Sequence, residues 1–580
     1  MENEDGSVIL IANGEIYNHA ELRGELEARS HRFKTRCDSE VILHLYEEMG
    51  ARCVERLGGM FAFAIYDRRE HKLTLARDRL GIKPLYYALL GERLLFASEL
   101  KAILRYEQFD PTLDPRAVKD YLALRYVPGP GSLFREIQKL PAAHTATFQR
   151  GRLRAERYWR APLARGPFEG DERAYLEGFA ERFERSIERR LISDVPLGAY
   201  LSGGLDSSAI VAAMSRVSDE PIRTFTVGFD YEHDELEQAA DTARHLGCRH
   251  TEIACRAQDI ELLPEVIYHL DEPIGDAIVV PMYQLAREAK KQVTVILAGE
   301  GADETLGGYL FHKALLWGHY LSRVPRALRR GLLTQMLRAT PASVINIAFS
   351  YPAALGERGK LKVIDYLSLL DEEQLPEAYR HLISLFDERD CVGLFSEDFL
   401  GAIANAAPVA TPAPRLDRAV PFLNRALDLQ FHDWLPDDIL MKQDKLSMAH
   451  GIEARVPFLD HELVEYAMQI PPRMKIRGLT SKAILRRYAA DLLPEATRKR
   501  RKMPFYVPVE KYLEQPVFKN LVADVLSEKT IRERGFFRPE AVLRLKQEIH
   551  GGEFVHVKQV LSLVILELWL RMAVDRRGRL

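Results

Sequence analysis

The chain has 580 residues, which is too many for one hydrophobic core and predicts two or more domains. Hydrophobic residues make up 47% and charged residues 28%, as in soluble globular proteins, and a net charge of −3 excludes a global field that would attract nucleic acid or a membrane. None of the five cysteines stands in a C-x-x-C pair, so they favour neither a zinc site nor a disulfide framework and suit a reducing cytoplasm.

The first 160 residues are predicted to form a β-rich unit. Alternating or continuous apolar runs predict strands, and one amphipathic run between them predicts a helix. The strands are expected at Val8 to Ala12, Met60 to Tyr66, Lys72 to Arg77 and Leu94 to Ala97, and the helix at Glu40 to Met49. The first strand is expected to end at Asn13-Gly14, and Ala143 to Trp159 is expected to hold a short hairpin and a linker.

The pattern becomes helical from about Asp171, with a long amphipathic stretch from Tyr175 to Leu191. Three short apolar strands then alternate with helical segments, which predicts a parallel, doubly wound sheet. These strands are Val195 to Leu201, Thr224 to Phe229 and Val293 to Leu297, and a helix is expected around Glu235 to Leu246. Ligands of such sheets bind beyond the carboxyl ends of the strands, so the loops after these three strands are expected to meet there.

The C-terminal part is expected to be mostly helical. The proline-rich stretch from Asn405 to Arg415 predicts a surface loop. The most apolar stretch, Val560 to Leu570, is too short to span a bilayer and predicts a buried helix, and no signal peptide is visible.

The most informative motif is Ser202-Gly203-Gly204-Leu205-Asp206-Ser207-Ser208, which lies between an apolar strand and a helix. Such a glycine-rich turn points backbone N–H groups at an anion, and the helix N-terminus adds a favourable dipole. The Walker-type lysine is missing, so this is not the common P-loop. The motif resembles the pyrophosphate loop of ATP pyrophosphatases, which split ATP into AMP and pyrophosphate. The alternative is an ordinary turn that caps a helix.

Two aspartates, Asp206 and Asp303, follow separate predicted strands. If the fold brings them together, their oxygens suit Mg²⁺ bound to ATP phosphates; otherwise each is a helix cap. Glu300 lies between two glycines and could therefore meet a substrate directly. Lys482 is a candidate for the positive charge needed at the α-phosphate, although spacing alone does not select it.

Several strings together resemble the glutamine-dependent asparagine synthetases of the bacterial class B type. The resemblance runs in order over nearly the whole chain. The matching strings are Asn13 to Asn18, Gly58 to Phe63, Ala76 to Tyr87, Phe96 to Glu99, the loops around Asp206 and Asp303, and Met448 to Asp460.

The resemblance implies an enzyme with two sites. Residues 1–160 would form a glutamine amidotransferase domain of the N-terminal-nucleophile type, an αββα sandwich that is incomplete at its N-terminus, and residues 161–580 an ATP-pyrophosphatase domain with a helical C-terminal part. Ammonia from glutamine would pass through a tunnel to the second site. There aspartate and ATP would give β-aspartyl-AMP and pyrophosphate, and ammonia would then yield asparagine. ATP and Mg²⁺ are the implied cofactors, and the family's usual state is a cytoplasmic homodimer.

The resemblance also implies roles for individual residues. Leu201, Val227, Ala298 and Gly299 would contact the nucleotide, while Ser202, Gly203, Gly204, Ser207 and Ser208 would bind pyrophosphate. Asp206 and Asp303 would hold Mg²⁺, and Glu300 and Lys482 would serve adenylation. Asn13, Gly14, Glu15 and Asp38 would form the glutamine pocket, with Asn13 and Gly14 as its oxyanion hole.

The chain departs from the family at its start. Family glutaminases begin Met-Cys-Gly-Ile, and that cysteine becomes the N-terminal nucleophile, whereas this chain begins Met-Glu-Asn-Glu-Asp-Gly. Two explanations are open: the true start lies upstream, which we favour, or the chain is a real truncation that depends on ammonia. As written, the chain is expected to hydrolyse no glutamine.

Other functions remain open from the sequence. The acceptor could be a different carboxylate, such as an exopolysaccharide sugar acid, with the region from Tyr309 to Arg415 shaping its pocket. A tRNA-thiolating pyrophosphatase is disfavoured by the missing cysteine pair and the weak charge. A degenerate scaffold is disfavoured by the intact set Asp206, Asp303, Glu300 and Lys482. The basic run from Arg498 to Lys502 is interpreted as a solvated turn, with a phosphate-facing loop as the alternative and nucleic acid as the least favoured partner.

Overall fold

The computed structural model describes residues 1–229, 235–325, 328–329, 331, 334–341, 356–370, 374–407, 417–499, 507, 509–549 and 554–575. Most of the predicted proline-rich loop and residues 500–502 of the basic run lie outside the described residues. Within the described part of the chain, no helix is long and apolar enough to cross a membrane.

The N-terminal part contains two antiparallel sheets. The first has the strand order β1-β2-β3-β7-β8 and the second the order β5-β4-β6. The strands are β1 Val8–Ile16, β2 Gly59–Asp67, β3 Lys72–Arg77, β4 Tyr86–Leu90, β5 Arg93–Ala97, β6 Ile137–Lys139, β7 His144–Gln149 and β8 Arg152–Arg157. The helices are α1 His19–Ala28, α2 Glu40–Met49, α3 Leu100–Leu104 and α4 Pro115–Leu124.

These elements form four layers because β1 to β3 bury apolar side chains on both faces. On one face Phe61 and Phe63 pack against α1 and α2 through Leu22 and Ile42. On the other face, side chains such as Ala64 meet those of the second sheet. The second sheet then packs on α3, α4 and the C-terminal helices. The predicted αββα arrangement is therefore present.

The second part is built on a parallel sheet of order β11-β10-β9-β12-β13. Its strands are β9 Leu197–Tyr200, β10 Arg223–Gly228, β11 Arg249–Ala254, β12 Val295–Leu297 and β13 Glu453–Arg455, and a two-stranded hairpin joins β14 Ile476–Arg477 to β15 Thr480–Ser481. The helices up to residue 321 are α5 Glu172–Leu191, α6 Leu205–Val217, α7 Leu236–His245, α8 Leu263–Leu270, α9 Val279–Ala289, α10 Ala302–Leu306 and α11 Leu310–Leu321.

Helices cover both faces of the parallel sheet, as predicted. Helices α5 and α6 pack on one face through Phe183 and Ile210, and α9 packs on the other through Leu285. The later helices are Thr334–Ala339, Gly356–Ser368, Leu375–Ile383, Glu388–Leu394, Glu397–Asn405, Phe422–His432, Leu440–Met448, His461–Ala467, Pro472–Lys475, Ala483–Tyr488, Glu495–Lys499, Val509–Glu514, Pro516–Val525, Glu528–Arg534, Pro539–Glu548 and Phe554–Leu570. The last of them is the buried helix that the apolar stretch predicted.

The boundary of the first strand was wrong in the sequence analysis. Asn13-Gly14 does not end β1, since the strand continues to Ile16 and stays paired with β2 up to Gly59. A glycine fits inside this strand because a Cβ at Gly14 would lie 2.0 Å from the carbonyl oxygen of Met60. The close approach of two backbones, rather than a turn, explains this glycine.

Candidate active sites

The loop between β9 and α6 follows the predicted strand, turn and helix. Gly203 has φ +66°, and a Cβ there would lie 2.8 Å from the backbone nitrogen of Ala239. Only glycine satisfies both conditions without strain. The loop therefore turns sharply enough for α6 to begin at Leu205 with its free N–H groups directed at the end of the sheet.

Hydrogen bonds of serine side chains fix the conformation of this loop in front of the N-terminus of α6. The backbone N–H of Ser202 donates to Ser207 Oγ at 3.1 Å, and the two hydroxyl groups lie 3.2 Å apart. Ser208 is completely buried, and its hydroxyl has no hydrogen-bond partner among the described residues. A buried polar atom without a partner is costly, so a bound phosphate oxygen is a fitting partner for it.

Asp206 and Asp303 are brought together by a single lysine. Lys482 Nζ lies 2.5 Å from Asp206 Oδ2 and 2.6 Å from Asp303 Oδ1. Lys482 and Asp303 are buried. The two aspartates therefore face each other across one cation position, which neither would do if each only capped its own helix.

The backbone of Lys482 is strained so that its side chain reaches this position. It follows the β14–β15 hairpin and has φ +53°, a left-handed conformation that lysine rarely adopts. Gly308 leaves room for the pairing, since a Cβ there would lie 1.7 Å from Asp303 Oδ1 and 2.1 Å from Lys482 Cε.

The other residues predicted for the nucleotide site lie at the same edge of the sheet. Leu201 directly follows β9, Val227 lies near the end of β10, and Ala298 directly follows β12. A Cβ on Gly299 would lie 3.5 Å from Asp206 Cβ, so this glycine lies against the loop between β9 and α6. Glu300 lies near Tyr200, the last residue of β9. Burial is the main cause that raises the pKa of Tyr200, and the Glu300 carboxylate is the second.

The four residues predicted for the glutamine pocket lie on β1 and just before α2. The Asp38 carboxylate accepts a hydrogen bond from the Ile16 N–H at 2.6 Å, which fixes it beside β1. Asn13 Nδ2 donates to Ser98 Oγ at 3.5 Å. The fold thus brings Asn13, Gly14, Glu15 and Asp38 to one end of β1.

Glu15 has an unusual electrostatic environment. Burial, and next the Asp38 carboxylate, raise the pKa of Glu15 to about 7. Its cationic partner is Arg455 of β13, with Nη2 3.5 Å from Glu15 Oε1. Arg455 also donates to Glu453 of its own strand, with Nε 2.7 Å from Glu453 Oε1. The cation beside this candidate pocket therefore comes from the parallel sheet and is shared with another carboxylate.

More buried ion pairs cross the seam between the two halves. Lys83 Nζ lies 2.7 Å from Asp444 Oδ1, and Lys139 Nζ lies 2.8 Å from Glu272 Oε2. A cavity of about 20 Å³ on this seam is lined in part by Arg77, Lys139 and Asp437. This volume is sufficient for one molecule of the size of water or ammonia.

Three contributors to the sites were missed in the sequence analysis. Gly308 and Arg455 are described above. Arg486 is the third: burial lowers the pKa of its guanidinium and Asp206 opposes this, so Arg486 lies close to the acidic pair. Its signal was weak, because arginine four residues after Lys482 is also ordinary on a helix surface.

Comparisons with known proteins agree on both halves. An asparagine synthase family model matches residues 178–571, and a glutamine amidotransferase domain model matches residues 1–159. A Bacillus subtilis protein named asparagine synthetase [glutamine-hydrolyzing] 1 is 30% identical over 585 residues, covering 100% of this chain and 87% of the relative. A Mycobacterium tuberculosis H37Rv protein named putative asparagine synthetase [glutamine-hydrolyzing] is 34% identical over 577 residues, covering 98% and 85%.

One solved structure, a Bacillus subtilis glutamine phosphoribosylpyrophosphate amidotransferase with ADP and GMP, aligns with 44% of this chain and 63% of its own. The identity is 14% and the TM-score 0.21, which is too low to bear on the fold.

Proposed function

The chain belongs to the asparagine synthase family, and on that basis we propose that it amidates aspartate to asparagine through a β-aspartyl-AMP intermediate. It is a carbon–nitrogen ligase in which a glutamine amidotransferase domain of the N-terminal-nucleophile fold precedes the asparagine synthase domain, and we place their boundary at residue 160. The observation that carries the proposal is the meeting of Asp206, Asp303 and Lys482 at the N-terminus of α6.

The residues at this position fit a magnesium ion. Asp206 and Asp303 offer hard carboxylate oxygens around a position that already attracts a cation, the Lys482 ammonium. Mg²⁺ bound by the two aspartates would neutralise the charge of the β- and γ-phosphates of ATP.

Binding of ATP would use the loop and the helix end. The backbone N–H groups of Gly203 and Leu205 and the buried hydroxyl of Ser208 would donate to the pyrophosphate oxygens. The adenosine part would lie against Leu201, Val227, Ala298 and Gly299, at the carboxyl ends of β9, β10 and β12.

Adenylation would then proceed at the α-phosphate. An oxygen of the aspartate β-carboxylate attacks the phosphorus atom, and the bond to pyrophosphate breaks with its electrons leaving on pyrophosphate. Lys482 would stabilise the negative charge on the α-phosphate oxygens. Glu300, in the loop after β12, would contact the substrate or the intermediate. Ammonia finally attacks the acyl carbon, loses a proton and displaces AMP.

For a polypeptide of this sequence we propose ammonia as the nitrogen source. Neither Glu15 nor Asp38 is a nucleophile, and burial raises the pKa of the nearby Cys37 thiol, which disfavours the reactive thiolate. Asn13, Gly14, Glu15 and Asp38 would bind glutamine without cleaving it.

The test uses the purified chain with Mg-ATP and aspartate, given ammonium in one tube and glutamine in another. We expect equal amounts of asparagine, AMP and pyrophosphate with ammonium and none with glutamine. AMP formed only with a different carboxylate, for example a uronic acid, would overturn aspartate as the acceptor. Glutamate released above background in the glutamine tube would overturn the proposed nitrogen source.

A further inference from the structure

Four metal-ligating side chains lie together in the N-terminal part of the chain, and none of them belongs to either candidate site. They are Glu4, in the segment before β1; His31, between α1 and α2; and His44 and Glu47, three residues apart on α2. One ligand atom from each lies within 4.8 Å of those of the other three. Three stretches of chain that are distant in sequence therefore converge on one point.

The geometry around this point suits a four-coordinate metal. Nδ1 of His44 lies 3.2 Å from Glu47 Oε2 and 3.5 Å from Glu4 Oε2. Nδ1 of His31 lies 3.7 Å from Glu4 Oε1 and 3.7 Å from Glu47 Oε2. Zinc bonds to imidazole and carboxylate of about 2.0–2.1 Å place tetrahedral ligands about 3.3 Å apart. With Glu4 offering Oε2, the pairs His44–Glu47, His44–Glu4 and His31–Glu47 lie 3.2, 3.5 and 3.7 Å apart, so three of the six ligand pairs are already near that separation.

Neighbouring groups orient the ligands from outside. Nε2 of His31 lies 3.3 Å from Glu48 Oε1, so its N–H donates to that carboxylate and Nδ1 carries the free lone pair toward the cluster. Asn3 Nδ2 donates to Glu47 Oε1 at 2.7 Å and leaves Oε2 directed inward. A carboxylate behind a histidine is the usual outer partner of a histidine ligand.

We propose that Glu4, His31, His44 and Glu47 form a structural zinc site. Two imidazoles disfavour Mg²⁺ and Ca²⁺, and four protein ligands leave no open position for catalysis. His44 is buried, with a side chain only 1% exposed, so the site is closed on its inner side. The metal would link the segment before β1 to α2. Asn13 lies on β1 and Asp38 lies just before α2, so the linked elements adjoin residues of the candidate glutamine pocket.

The experiment uses the untagged full-length chain, stripped of metal and kept in excess Mg²⁺ so that the acidic pair near Lys482 is occupied. Zinc binding is titrated against a chromophoric chelator, and Co²⁺ is added in a parallel sample. We expect one Zn²⁺ per chain and the intense visible bands of tetrahedral Co²⁺. His31→Asn and Glu4→Gln should each weaken zinc binding by at least about 100-fold, and Glu48→Gln, which removes an outer partner, by about 10-fold.

The matched controls are His71→Asn and Glu21→Gln, exposed residues of the same half, which should bind zinc like the parent chain. Circular dichroism of every variant without metal establishes that each is folded, and His44 is left intact because it is buried. Absence of stoichiometric zinc binding, or equal binding by the parent, His31→Asn and Glu4→Gln, would overturn the proposal. These readouts do not depend on ligase activity.

Discussion

The two candidate sites balance their charges in different ways. At the nucleotide site, the carboxylates of Asp206 and Asp303 are paired directly with Lys482, and all three belong to the same half of the molecule. In the glutamine pocket, Glu15 and Asp38 are two acids with no lysine or arginine of their own half within ion-pair distance among the described residues. The cation that pairs with Glu15, Arg455, comes from the parallel sheet.

This difference implies different dependences on the rest of the molecule. The candidate nucleotide site has both its acids and their cation within its own domain, since Asp206 and Asp303 are paired with Lys482. The candidate glutamine pocket has its cation only when the two parts of the molecule are docked, because Arg455 is fixed by carbonyl groups of the second part. Arg455 Nη1 donates to the carbonyl oxygens of Arg190 at 2.9 Å and Ile192 at 2.6 Å.

Among the proposed variants, Arg455→Met is expected to have the largest effect, a loss of local stability where the two parts of the molecule meet. The substitution leaves the carbonyls of Arg190 and Ile192 and the carboxylate of Glu453 without their hydrogen-bond donor, and it leaves Glu15 without its cationic partner. Removing one partner of a buried ion pair costs about 3–5 kcal/mol. We expect this loss in the free energy of opening of β1 and β13, measured by native-state hydrogen exchange. Arg473→Met, at an exposed arginine of the same half, is the control. Unchanged protection of β1 would show that the halves are not coupled through Arg455.

The next largest effect is expected from Lys482→Met at the self-contained site. Loss of a positive charge at a developing phosphate charge costs about 10²–10³-fold in rate. We expect AMP formation with aspartate and ammonium to fall by that factor, while hydrogen exchange of β1 is unchanged. Lys291→Met, at an exposed lysine, should keep the parent rate. A Lys482→Met variant that forms AMP at more than a tenth of the parent rate would contradict the role given to this lysine.

The strand-end loops could be predicted from the sequence because each of them carries a local physical signal. The periodicity of apolar residues and the positions of turn residues predict the Ser202 to Ser208 motif, the strands around it and the helix from Glu40 to Met49. The edge strands β11 and β13 were missed: β11 contains Arg249, His250 and Glu252, and β13 has three residues, so neither has an apolar run.

The site residues that were missed contact residues that are distant in sequence, so no local sequence pattern marks them. Gly308 is needed only because Lys482, 174 positions later in the sequence, packs against it. Arg455 pairs with Glu15 across the seam, which no local spacing predicts. Likewise, Glu4 and His31 join His44 and Glu47 only after β1 and α2 pack, so spacing offered at most the pair on α2.

Gly308→Ala sharpens the comparison by disturbing the nucleotide site without removing a charge. The new methyl group would overlap Asp303 Oδ1 and Lys482 Cε, and relief of such overpacking costs about 1–3 kcal/mol. We expect AMP formation to fall about 10- to 100-fold, with Asp303 and Lys482 pushed apart. Gly401→Ala, where a Cβ meets nothing within 4 Å, is the matched control. Equal activity of the two variants would mean that the pairing around Lys482 tolerates displacement.

The smallest expected effect concerns Glu15, whose pKa of about 7 lies above its ordinary value of 4.5. Between pH 4.5 and 7 the folded chain holds a proton on Glu15 that the unfolded chain has lost, so stability falls as the pH rises through this window. Glu15→Gln removes this dependence. Since Glu15 is partly solvated, we expect the variant to be more stable than the parent by about 1 kcal/mol at pH 8 and equal to it at pH 4.

The measurement for Glu15→Gln is the denaturant midpoint followed through β1 at the two pH values, with Glu25→Gln, at an exposed glutamate paired with Arg56, as the control. A variant that is less stable than the parent at pH 8 would mean that the pair with Arg455 outweighs burial and repulsion by Asp38. In that case the glutamine pocket, like the nucleotide site, would hold a carboxylate stabilised in its charged form, and the two sites would differ only in which half supplies the cation.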